Sequence, residues 1–181
     1  MTGPNTIRPI IQRLIGRISG ANGGNAGAEL ALILPLLLVL LFAGLEAGNF
    51  IWTQHKLVEA VRDGARYASR LDLADFCPAF APAVQDRIKL ITRTGQLADA
   101  AARPVVPGWT ADMVTVTVTC DAFVKTGIYA DMSDGTKGPI VVVAAANVPY
   151  SSLFHVLGAI EPDRTRPVLM GARSSAAVIG L

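Results

Sequence analysis

Sixteen consecutive residues, Leu30 to Leu45, read LALILPLLLVLLFAGL without a charge and are bounded by Glu29 and Glu46. Continued through Ala47, Gly48, Asn49, Phe50, Ile51 and Trp52, the stretch is long enough to cross a hydrocarbon core of about 30 Å at about 1.5 Å per helical residue. A chain of 181 residues then has room for one membrane segment and one modest domain. The high mean hydropathy of +0.44 is concentrated in this run. Arg8, Arg13 and Arg17 precede it with no acid among residues 1–24, the flank expected on the cytoplasmic side, and Trp52 suits the opposite interface. Of the 16 basic residues, 13 then remain against 14 acidic ones. A nearly neutral remainder argues against nucleic-acid binding.

The basic flank places Ile7, Ile11, Leu14 and Ile18 at helical spacing with Arg13 and Arg17 on another face, which suits a helix lying on the membrane surface. An organelle transit peptide shares that pattern but does not require the spanning run that follows. A cleaved secretory signal is a second alternative, with Leu45-Glu46-Ala47 as a poor cleavage context. Within the span, Pro35 removes a backbone donor that neighbouring groups in an assembly can compensate. Glu46 either sits among headgroups or, flanked by Gly44 and Gly48, marks close approach of another helix. Pro35, Gly44, Glu46 and Gly48 are therefore the candidate residues for packing of the membrane helix.

Residues 24 to 69, GNAGAELALILPLLLVLLFAGLEAGNFIWTQHKLVEAVRDGARYAS, resemble the TadE-like family, the minor pilins or pseudopilins of bacterial tight-adherence pili. Three features carry the resemblance. A small-residue stretch ends in Glu29 and Leu30, a Leu-Pro-Leu-Leu run follows, and the helix closes on Arg62-Asp63-Gly64-Ala65-Arg66-Tyr67-Ala68. The resemblance implies a role in pilus assembly and cell adhesion, with no catalytic residues and no cofactor. It implies as partners the membrane, a prepilin peptidase, an assembly ATPase, the major pilin and other pilus assembly proteins. It also implies cleavage after Gly24, making Asn25 the first mature residue and Glu29 the fifth, although Leu30 stands where an aromatic residue is often found. Without the family, Gly23 and Gly24 read as a flexible link before the membrane.

Cleavage there would create a positive amine at Asn25. A carboxylate four residues later lies on the same helix face, able to pair with its own or a neighbour's amine. Glu29 is thus expected to direct assembly by charge compensation in lipid.

After Trp52, Leu57, Val61, Ala65 and Ala68 continue one apolar face while Lys56, Glu59, Arg62, Asp63 and Arg66 supply polar surface. Gly64 weakens such a helix by about 1 kcal/mol relative to Ala, so it marks close packing or a bend. Pro82 suits the first turn of a second helix over 82–102, with Val84, Ile88, Ile91 and Ala98 inward. Val114, Val116, Val118 and Cys120 alternate with threonines in a strand, residues 139–148 form a second beyond a loop at 131–139, and residues 168–179 return as a third with Arg173 and its serines facing water.

The expected fold class is α+β and pilin-like, a long N-terminal helix with one further helix and a small antiparallel sheet. Its parts are a basic cytoplasmic leader (1–24), a transmembrane helix (25–52), an amphipathic stalk (53–72) and an exported domain (73–181). The expected location is the bacterial inner membrane, with the N-terminus cytoplasmic and the C-terminal domain periplasmic or extracellular.

Cys77 and Cys120 both follow the apolar run, so export would favour a disulfide between them; two buried thiols are the alternative. No catalytic set is legible. His55 and His155 lack metal-spaced partners, and Ser151, Ser152 and His155 lack a nucleophile elbow and a carboxylate to orient the imidazole. Asp131, Asp134 and Gly135 resemble a fragment of a calcium loop without its closing Glu, and read as a polar turn. No glycine-rich phosphate loop or small-molecule substrate site is evident. The functional alternatives are a pilus assembly component and a cell-envelope binding module on an unprocessed signal anchor.

Overall fold

The computed structural model describes residues 23–97, 101–124, 137–154 and 167–179. Two compact units, Met1–Leu45 and Glu46–Leu181, divide the chain. Helix α1 runs Gly23–Ala68, so one helix contributes to both units.

In the first unit, the residues from Gly27 to Leu45 are exposed on every side of the helix. Aliphatic side chains presented to all directions are stable only in an apolar solvent. This is the single helix among the described residues long and apolar enough to cross a membrane, and it fits a single-pass anchor. Pro35 lies inside it, and the helix continues on both sides.

The second unit is built around the later part of α1. Leu57, Val61, Ala65 and Ala68, the face predicted from 3.6-residue spacing, are all buried. Helix α2, Pro82–Thr94, packs here with Val84, Ile88, Thr92 and Thr94 buried. Its proline occupies the first turn, where the missing N–H is no loss. The helix is shorter than the 82–102 expected. Gly95 adopts a left-handed conformation (φ 71°) and its N–H bonds to Ile91 O, closing the last turn. Ile91 is only half-buried, Thr92 taking the inward position, and Ala98 lies outside the described residues.

Three strands, β1 (Val114–Val124), β2 (Lys137–Pro149) and β3 (Leu169–Ala177), form an antiparallel sheet in the order β1-β2-β3. The fold is α+β as expected. Val116 pairs with Val143 and Val143 with Ser174 across the sheet. Val114, Val116, Val141 and Val143 are buried while Thr115, Thr117 and Thr119 are exposed, the alternation of a sheet covered on one face. Arg173 and Ser175 are exposed on β3, and Ser174 is half-buried. β2 begins at Lys137, within the stretch expected to be loop. The remaining residues of that loop, with Asp131, Asp134 and Gly135, lie outside the described residues, as does His155.

Candidate functional site

The chemistry of this chain centres on α1. Gly24 and Asn25 fall in its first turn, and Glu29 is exposed one turn later. Gly44 and Gly48 both face open space, since a side-chain carbon added at either would meet nothing within 4 Å.

Glu46 has a different environment, enclosed by its own chain rather than by headgroups or a second helix. It is 1% exposed. One carboxylate oxygen accepts the Tyr150 hydroxyl at 2.8 Å, and the other accepts the backbone N–H groups of Leu153 and Phe154, each at 3.1 Å. These donors are neutral, so the site compensates a buried carboxylate with three oriented dipoles rather than with a cation. Asn49, one turn on, donates to the Tyr150 oxygen at 2.8 Å. The Phe50 ring meets the Tyr150 ring edge-on, with centroids 5.2 Å apart. Burial, then the hydrogen bond to Glu46, pushes the Tyr150 phenol above its ordinary value, so it remains a donor.

The same face continues along the helix. Gln54 donates to Gly171 O at 2.9 Å, and Leu57 and Val61 enter the core one and two turns later. Glu46, Phe50, Gln54, Leu57 and Val61 follow intervals of three and four, so Glu46 lies on the inward face of the helix. That spacing was the available signal for Glu46. Nothing comparable pointed to Tyr150, Leu153 and Phe154, which follow β2 about a hundred residues away.

Close packing accounts for Gly64. A side-chain carbon there would collide with Thr92 Oγ1 and lie 3.0 Å from Thr92 Cβ. The Thr92 side chain is held in place, being buried and donating to Ile88 O at 2.7 Å. Gly64 and Ala65 in Arg62-Asp63-Gly64-Ala65-Arg66 therefore serve the contact between α1 and α2, while both arginines are exposed. Arg66 lies 3.9 Å from Asp63, an exposed pair worth little on its own.

Cys77 and Cys120 are joined in a disulfide, with Cα atoms 6.2 Å apart and a sequence separation of 43. It ties the segment after α1 to β1. His55 is exposed and lies 3.0 Å from Glu59, a surface pairing. Among the described residues, no group of three His, Cys, Asp or Glu is placed to hold a metal ion.

No curated protein and no solved structure matches the chain. Residues 24–66, which carry the apolar run, Glu46 and the glycine at the helix contact, match the sequence model of the family described as TadE-like protein.

Proposed function

We propose that this chain is a membrane-anchored minor pilin-like component in the assembly of tight-adherence pili, processed by a prepilin peptidase after Gly24. The observation that carries the reading is the reach of the family match, which begins at Gly24, covers the whole apolar run and ends at Arg66. In this reading the mature chain starts at Asn25, with Glu29 four residues on. The carboxylate neutralises a terminal amine in or near lipid, its own or that of a neighbouring subunit. The C-terminal unit lies outside the inner membrane, a placement supported by the Cys77–Cys120 disulfide, which persists in an oxidising compartment. The chain acts as a structural part rather than as an enzyme. Its partners are the peptidase, the assembly machinery and the other pilins.

N-terminal sequencing and intact mass of the membrane-extracted protein test this, in a native host and in a strain lacking the prepilin peptidase. A peptidase-dependent start at Asn25 is expected. An uncleaved chain in both strains would leave a plain signal anchor, and a start near Gly48 would mean a secreted protein with no membrane helix. A Glu29→Gln variant that assembles normally would remove the charge-compensation role.

A further inference from the structure

Charges on the outward side of α1, within the C-terminal unit, are arranged in two rows. Glu59 and Asp63 are four residues apart, as are Arg62 and Arg66, so each like-charged pair lies along one row of the helix surface. At about 3.6 residues per turn, the basic row is displaced around the helix by about 60° from the acidic one. All four residues are exposed, and they line a surface groove of about 380 Å³. The core is served instead by Leu57, Val61, Ala65 and Ala68 on the opposite side.

Local pairing leaves these charges open to solvent. Glu59 meets His55 at 3.0 Å, a cation only when protonated, and Asp63 lies 3.9 Å from Arg66. The side chains of Glu59, Asp63 and Arg66 are nevertheless 58%, 66% and 71% exposed. Among the described residues Arg62 has no ion pair. Beside the acidic row, Lys56 lines an adjoining groove with Glu59 and Asp63, and the α2 wall of that groove, Ile91 and Thr92, is uncharged. Like charges four residues apart on a helix repel, which an opposing row of the other sign relieves.

We propose that this face binds a second copy of the chain, helix beside parallel helix, with Glu59 and Asp63 of one copy against Arg62 and Arg66 of the other. The layout of charge selects that occupant. In a parallel pair related by a two-fold axis along the helices, opposite flanks meet, so each acidic row faces a basic row and both sets of contacts form. An antiparallel pair would set acid against acid and base against base. From Glu59 to Arg62, or from Asp63 to Arg66, the axial offset is three residues, about 4.5 Å, within the reach of an arginine side chain. Exposed pairs contribute little affinity singly, so the rows set direction and choice of partner. This contact goes beyond the reading as a pilus component and does not depend on cleavage after Gly24.

Energy transfer between donor-labelled and acceptor-labelled copies of the full-length protein in phosphatidylcholine vesicles tests the proposal. The labels sit on Ser175→Cys, an exposed position, since both native cysteines are held in the disulfide. Glu59→Lys with Asp63→Lys makes the face basic throughout, and Arg62→Glu with Arg66→Glu makes it acidic throughout. Each reversed chain alone should lose transfer down to the level of lipid-diluted copies, and the two mixed should recover at least the unmodified level. All four substitutions in one chain exchange the rows and should leave transfer unchanged. Should a reversed chain fail to fold, Glu59→Gln with Asp63→Asn removes the acidic row without adding charge and should show the same loss. Unmodified transfer by a reversed chain alone, a mixture no better than its components, or no transfer by the unmodified protein would overturn the pairing. N-terminal sequencing reads processing separately, so either idea can fail while the other stands.

Discussion

The two parts of α1 on either side of Glu46 share one backbone conformation and differ in what surrounds them. From Leu30 to Leu45 the helix is apolar on all faces and exposed; after Glu46, one face is buried and the other carries Glu59, Arg62, Asp63 and Arg66. Both parts are helical, with Pro35 removing one backbone donor from the first, so the difference lies chiefly in the side chains. Uniform apolarity demands an external apolar solvent, whereas a one-sided pattern supplies its own in the form of a core. Glu46 stands at the change. It is a carboxylate that neither lipid nor an apolar core accommodates alone, and Tyr150, Leu153 and Phe154 make its position possible.

The sharpest way to break this comparison is to make the same truncation on both sides. Leu57→Ala should lower the stability of the C-terminal unit by about 3 to 4 kcal/mol, a buried leucine leaving a cavity, while Leu37→Ala should change it by less than about 0.5 kcal/mol. Denaturant unfolding in detergent, followed by near-ultraviolet circular dichroism, measures both. Equal losses would mean that the first part of the helix also contributes to that core.

Glu46→Leu should cost about 3 kcal/mol in the same assay, because three inward donors lose a charged acceptor. It would also raise the hydropathy of the run. If apolarity alone governed this position, the variant would be stabilised instead.

A smaller effect, about 1 to 2 kcal/mol, is expected for Gly64→Ala. The gain in helix propensity of about 1 kcal/mol is outweighed by overlap with Thr92. Thr92→Ala in the same chain should restore part of the loss. A stabilised Gly64→Ala would show that Thr92 moves aside freely.

Smallest is Tyr150→Phe, at about 1 kcal/mol, since the ring keeps its edge-on contact with Phe50 and Glu46 keeps two of its three side-chain hydrogen bonds. A loss as large as that of Glu46→Leu would mean that the phenol alone holds the carboxylate.

Much of this was legible from local pattern. The apolar run, the buried face of Leu57, Val61, Ala65 and Ala68, and the alternation of Val114 and Val116 with threonines each follow from a period of 3.6 or 2. The end of α2 was misplaced because alanine-rich residues beyond Gly95 continue to favour helix, while the left-handed cap that stops it depends on one glycine. Gly64 was legible as a point of close packing or a bend, but its partner was not, since Thr92 lies 28 residues away and is polar.

The amino-acid sequence by itself determined that this chain has one segment able to span a bilayer, an amphipathic continuation and a strand-rich remainder, because hydropathy and periodicity are local properties of neighbouring residues. Only the tertiary structure decided the surroundings of Glu46. A buried carboxylate requires donors whose direction is set by backbone geometry, and here they arrive from residues 150 to 154, brought back to α1 by the sheet. No periodicity encodes that meeting, since it depends on where β2 ends in space rather than on the spacing of residues along the chain.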